Sequence, residues 1–224
     1  MKTKFFNFLM VAVLTATLVN CKNKAEEAVT SDAEAAKVSE ATSQKYITDV
    51  LKSSIEWKGF KPTGTHNGTI SIDTGTFEMV DGQLHSGTFL IDMKSIKALD
   101  LEGDYKTSLE SHLMGTVEGK EGDFFDVNKF PTAAFEITGT EATADGKTLL
   151  SGNLTIKGMK NNITFPVSVT ATGDDLTITS DTFTIDRTKW GVNYGSKSIF
   201  DNLGDKFIND EIELKINIVA SKRS

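Results

Sequence analysis

Cysteine is almost missing: Cys21 is the only one among 224 residues. No disulfide can form within the chain, and a thiolate metal cluster is excluded by the same count. Histidine is nearly as scarce, with three residues. His66, His85 and His112 fall at intervals that match no H-x-x-x-H pair or similar ligand spacing, so the sequence offers no metal site. Basic side chains are outnumbered, 24 against 31 acids, for a formal net charge of −7. Nucleic acid is thereby disfavoured as a partner, since phosphate contacts need a basic surface. There is no G-x-S-x-G elbow, no P-loop and no dinucleotide fingerprint, and nothing calls for a cofactor.

What is present begins with an apolar run from Phe5 to Val19 behind Lys2 and Lys4. The run is shorter than the about 20 residues a spanning helix needs. A charged start followed by such a run is a secretory signal pattern. It ends in Leu18-Val19-Asn20-Cys21, which resembles a bacterial lipobox, with cleavage before Cys21 and lipidation of that cysteine. Residues 1–20 are thus expected to be a signal peptide and Cys21 a lipid anchor to the membrane. Lys22 to Ser43 is rich in Ala, Glu, Lys, Ser and Thr and has almost no large apolar side chain. Such a stretch buries too little surface to offset the entropy of ordering. Residues 21–44 are expected to form a flexible tether with a reach of roughly 25 Å. A transient helix over Ala25 to Ala36 fits the residue types.

From Tyr46 onward apolar and polar residues alternate with period two. Strands are expected at Ile47–Val50 and Ser54–Phe60, the second carrying Trp57. A turn is expected at Asn67-Gly68 and a hairpin around Asp81-Gly82. Phe89, Ile91 and Met93 share one face of a longer strand. Helical spacing of Tyr105, Leu109, His112 and Leu113 predicts one helix over Asp104–Met114, with Asp104 able to cap it. Further alternation runs through Phe135–Ile137, Leu150–Ile156, Ile163–Val169, Leu176–Ile178, Phe183–Ile185 and Ile212–Ile218. That makes about eight or nine strands, each with one apolar and one wet face, as in an antiparallel sheet. Closing such a sheet removes its edges and gives a β-barrel with room for packed side chains or one ligand. Residues 45–221 are read as one mainly β domain, a single antiparallel barrel with one short helix.

The barrel's organising stretch is Asp123 to Phe135, which places four Phe among thirteen residues. Two readings stand: an apolar plug closing one end of a core, or rings lining the mouth of a cavity. Its motifs also carry a resemblance. Phe89-x-Ile91-Asp92-x-x-Ser95-Ile96, His112-Leu113, Asp123-Phe124-Phe125-Asp126, Phe130-Pro131 and Phe135 are similar to successive motifs of the YceI-like proteins. So are Gly152-x-Leu154-Thr155-Ile156-x-Gly158, Phe165-Pro166-Val167 and Ile185-Asp186-Arg187-x-x-Trp190-Gly191-Val192. The resemblance covers about Tyr46 to Ala220. It implies a lipocalin-like barrel whose apolar lumen holds a long isoprenoid or related lipid, in a protein of the bacterial periplasm. The segment Gly115 to Gly122 is longer than that pattern.

Strand parity then names a lining: Phe89, Ile91, Phe124, Phe125, Phe135, Leu154, Phe165, Val167 and Phe183. Arg187 is either the partner of Asp186 in an ion pair that fixes a strand end, or a contact for an anionic head group, since guanidinium suits phosphate geometry. Asp123 and Asp126 are read as bracing their loop, and the histidines as surface or rim residues. The leading expectation is non-enzymatic binding of an apolar ligand at the cell envelope, with a homodimer admitted. The alternative is a structural or stress-protective protein with a filled barrel and a protein partner. A hydrolase or isomerase acting on bound lipid is the third.

Overall fold

The computed structural model describes residues 25–223, so the predicted signal peptide and the lipidation at Cys21 lie outside the described residues. Two short strands come first, β1 (Glu26–Glu27) and β2 (Val29–Asp32). They are followed by β3 (Gln44–Thr48), β4 (Ser54–Lys61), β5 (Gly64–Val80) and β6 (Gln83–Ala98). Helix α1 (Gly103–Met114) leads to β7 (Thr132–Ala142), β8 (Thr148–Ile156), β9 (Met159–Thr172) and β10 (Asp175–Ser180). The chain ends with β11 (Phe183–Asp186), two 3-10 turns at Arg187–Trp190 and Gly204–Lys206, and β12 (Glu211–Lys222).

Strands β5 to β10 pair in sequence order, all antiparallel, and β10 pairs with β12. Strand β12 then pairs with both β3 and β4, and each of those pairs with β5. The sheet therefore closes on itself into a ring. Two-residue turns at Asp81-Gly82 and Lys157-Gly158 have positive φ at both positions, the backbone twist that joins antiparallel strands tightly. The ring has two unlike ends. Turns 81–82, 143–147 and 173–174 close one end; the connections 62–63, 99–131, 157–158 and 187–210 crown the other.

Asn67-Gly68 forms no turn. Both residues lie inside β5, and the hairpin turns at Pro62-Thr63 instead. Gly68 is there for close approach: a Cβ on it would stand 1.7 Å from the Lys97 carbonyl oxygen and 2.8 Å from the Trp57 ring. Two details of the helix also differ from expectation. Its N-cap is Glu102, which makes no side-chain capping bond, so Asp104 sits in the first turn rather than at the cap. Tyr105 points to solvent at 82% exposure, and only the later turns face the ring.

The largest correction concerns the tether. Strand β10 stays beside β9 only as far as Ser180 opposite Val167. Nearer the crown, β9 and β11 would leave a gap between them. The N-terminal arm fills it: β2 runs antiparallel to Asn161–Thr164 of β9, and β1 runs parallel to Phe183-Thr184 of β11. Ala28 lies between the two, 4% exposed, with its N–H donating to the Thr184 carbonyl at 2.9 Å. The arm then crosses the outside of the ring. The Asn153 side chain holds Glu34 at both backbone groups, accepting its N–H at 3.0 Å and donating to its carbonyl at 2.7 Å. The Lys37 N–H reaches the Ile137 carbonyl at 2.9 Å, and Ser43 donates to Glu78. Composition misjudged this segment because its order comes from main-chain hydrogen bonds offered by two strand edges, not from its own apolar side chains. Extended pairing likewise replaces the transient helix.

Candidate functional site

Inside the ring, the two halves are packed differently. Toward the turn end, Phe77, Met79, Leu84, Ile137, Leu150, Val167, Leu176, Ile178 and Ile218 fill the lumen, all at 4% exposure or less. Toward the crown the lumen is hollow, with a cavity of about 400 Å³. That volume falls in the range of roughly 300–1,000 Å³ usual for small-molecule sites. A filled barrel, the alternative weighed from sequence, does not describe this ring.

A row of phenylalanines forms the floor. Phe77 and Phe89 have ring centroids 6.1 Å apart, Phe89 stacks on Phe135 at 5.2 Å, Phe135 meets Phe165 edge-on at 6.0 Å, and Phe165 stacks on Phe183 at 4.2 Å. Each ring comes from a different strand, at an inward position of the pleat. Gly152 makes the row possible, because a Cβ there would stand 2.2 Å from the Phe135 ring. Above the floor the wall is aliphatic: Ile91, Leu154, Ile163, Ile185 and Ile216, with Trp57 on β4. The Trp190 indole, fully buried, donates to the Leu154 carbonyl at 2.8 Å and fixes the turn after β11 to the wall.

The roof is built by α1 and the stretch after it. The Phe125 N–H donates to the Leu113 carbonyl and the Val127 N–H to that of Met114, which stitches the loop to the helix end. Asp126 takes a positive φ of 47° at this bend. His112 hydrogen-bonds Asp123 at 2.7 Å and meets the rings of Phe124 and Tyr194 edge-on, at 5.1 and 5.0 Å between centroids. Phe124 is 7% exposed and Phe125 half-buried. The opening lies between this roof, the β4–β5 hairpin and the 187–210 loop, where Phe60, Lys61, Tyr194 and Lys206 reach solvent.

Nine of the ten residues named from sequence border the cavity: Phe89, Ile91, Phe124, Phe125, Phe135, Leu154, Phe165, Phe183 and Arg187. Val167 does not. It shares the inward face with Phe165 but lies one step nearer the turn end, within the solid half, at 1% exposure. Alternation assigns a face and not a depth. The walls contributed by β4 and β12 were not named, although Ile212, Leu214 and Ile216 alternate cleanly and all line the cavity.

Arg187 is 3% exposed, and its guanidinium is taken up within the protein. It donates to the carbonyls of Asn209 at 3.0 Å, Val192 at 2.5 Å and Ile208 at 3.2 Å. Its carboxylate neighbour is Asp210 at 3.8 Å, not Asp186. Burial pushes the guanidinium below its usual range, and the Asp210 and Asp186 charges oppose that. Asp186 instead accepts from the Thr188 N–H and caps the following turn. Arg187 is a strut that cross-ties the two ends of the 187–210 loop, with little capacity left for a head group. The other histidines each meet one carboxylate: His66, on β5, lies 2.8 Å from Asp100, and His85 lies 3.2 Å from Glu40 of the arm.

Comparison with known proteins agrees with this architecture. Residues 30–220 match the YceI-like domain. A UPF0312 protein of Pseudomonas aeruginosa is 32% identical over 91 residues, covering 40% of this chain and 47% of the relative. A UPF0312 protein of Pseudomonas putida is 30% identical over 103 residues, 45% of this chain and 51% of the relative. The matches thus span about half the length of these curated relatives. Among solved structures, Burkholderia cenocepacia BcnA superposes with a TM-score of 0.60 at 22% identity, covering 78% of this chain and 99% of that one. A polyisoprenoid binding domain from Saccharophagus degradans, implicated in plant cell wall breakdown, gives a TM-score of 0.56 at 11% identity, covering 80% and 98%. Similarity at these identities establishes a shared fold.

Proposed function

The chain belongs to the YceI-like family, and from that premise we propose that it is a non-enzymatic carrier whose lipocalin-like barrel holds one long apolar ligand, a polyisoprenoid or related lipid. The observation that carries this reading is the half-hollow ring: an apolar cavity of about 400 Å³, floored by phenylalanines and roofed by Phe124 and Phe125. Burial of apolar surface would drive binding, at about 0.8 kcal/mol per methylene. Ten methylenes would contribute on the order of 8 kcal/mol before ordering costs. The polyisoprenoid-binding neighbour supports the ligand class through shared architecture. In this reading the protein is a membrane-anchored lipoprotein of the bacterial envelope, which the signal pattern and Cys21 support.

Native mass spectrometry of gently extracted protein tests the proposal. A bound lipid, or uptake from a panel of isoprenoids and fatty acids, is the expected result. Ala133 lies in the cavity wall at 2% exposure. Ala133→Phe should fill the space and lower loading by about tenfold or more, one lost log unit being about 1.4 kcal/mol. No uptake by the parent protein from any member of the panel would overturn the reading.

A further inference from the structure

Eleven large apolar side chains remain exposed among the described residues, and six of them gather at one end of the ring. Leu99, Tyr105, Met159, Tyr194, Ile199 and Phe200 sit on or beside the crown connections, at 41 to 82% exposure. The other five are Val29 and Val38 on the arm and Ile47, Val50 and Leu51 on β3 and its link to β4; none lies on the turns at 81–82, 143–147 or 173–174, which carry Asp81, Asp145 and Asp174. The crown residues also belong to one connected surface. The Asn209 N–H donates to the Phe60 carbonyl, joining the 187–210 loop to the hairpin. Tyr194 meets His112 of α1, and Met159 approaches Gly191, where an added Cβ would lie 3.1 Å from its sulfur. Tyr194 also lines the cavity where it reaches solvent.

We propose that this crown is a bilayer-docking surface, which seats the cavity mouth against the lipid headgroup layer. The proposal rests on the lipid-binding reading, because an apolar guest that leaves a bilayer through this mouth would never cross bulk water. Apolar patches of this kind on a folded surface mark interaction sites, and tyrosine and phenylalanine suit the membrane interface. The charges say which membranes. Lys61 and Lys206 border the opening and Lys197 lies on the same loop as Lys206, but Asp201 and Asp205 share that loop. Lys197 also lies over the Phe207 ring, 4.5 Å from its centroid. The 99–131 connection adds more acids than bases, Asp100, Glu102, Asp104, Glu118 and Glu121 among the exposed ones, so docking is led by apolar insertion and does not require anionic lipid. A protein partner would use the same patch differently and is separated by the test.

The test uses the full chain with Cys21→Ser, so that no acyl chain on that residue contributes. A single reporter cysteine is introduced at Asp201→Cys on the crown or at Asp145→Cys on the opposite end, and labelled with a fluorophore. Each is mixed with phosphatidylcholine vesicles that carry a quencher in the acyl region. Both proteins share the same N-terminus, so its membrane affinity cancels in the comparison. Quenching at 201 should exceed that at 145 by about threefold or more, and persist in about 0.5 M salt, where exposed charges are screened. Adding Ile199→Ser with Phe200→Ser should abolish the difference while circular dichroism and ligand uptake from detergent solution stay unchanged. Equal quenching at the two ends, loss in salt, or indifference to the double substitution would overturn the docking proposal. Ligand uptake in solution would survive that outcome, so the two readings fail separately.

Discussion

Gly152 shows how much one missing side chain can decide. In a strand, glycine is ordinarily worse than alanine by about 0.5–1 kcal/mol because it has more backbone freedom to lose. At position 152 the sign should reverse. A methyl group would lie 2.2 Å from the Phe135 ring, which is 2% exposed and stacked on Phe89. Gly152→Ala should destabilise the protein by about 2 kcal/mol, as overpacking does in a tight core. Chemical denaturation would read this, and the cost should shrink sharply in the background of Phe135→Leu. Glu78 offers a second residue-scale case. Its burial favours the neutral carboxyl, but hydrogen bonds from Ser39, Ser86 and Ser43 outweigh that and hold its pKa below the usual value. A depressed carboxylate stabilises the folded state above its unfolded pKa, and that contribution fades as pH falls through the folded one. Glu78→Gln should therefore be less stable than the parent at pH 7. The gap should close below about pH 4, near the ordinary carboxylate range, in denaturation midpoints measured across pH.

Among the elements, the arm is the most instructive, since its side chains say little and its backbone does most of the binding. Asn153, 2% exposed, acts as a stretch of borrowed main chain for Glu34 and also accepts from Asn162 at 3.2 Å. Asn153→Leu would leave the Glu34 groups without these partners and should cost about 1–3 kcal/mol. Hydrogen exchange should rise in residues 26–37 well before the ring strands respond. The same element marks where sequence reading stops. Period two revealed the inward faces of β6, β7, β8 and β9, and with them Phe89, Ile91, Phe135, Leu154 and Phe165 on the cavity, because burial on one side writes itself into alternation. Partners across the ring leave no such trace. Asn67-Gly68 reads as a turn until Lys97 and Trp57 close over it. Val167 reads as lining until depth is known, and Arg187 reads as the mate of its neighbour until Val192, five residues on, and Ile208 and Asn209, more than twenty on, supply carbonyls.

For the molecule as a whole, the solid half and the hollow half divide labour between stability and binding. The filled half and the closed circuit of strands need no guest to hold them. Stripped protein should stay folded, and saturating lipid should raise its stability by mass action, about 2.7 kcal/mol at a hundred times the dissociation constant. Thermal melts of loaded and delipidated samples would measure that increment. The phenylalanine floor also makes the vessel blind. A linear guest can go in only until its leading end meets Phe135 and Phe165, and anything longer trails out past Tyr194 and Lys206. Across a homologous series of chains, affinity should climb by about 0.8 kcal/mol per added methylene and then level off. The break in that curve would be a ruler laid inside the protein, reading the depth of the cup in carbon atoms.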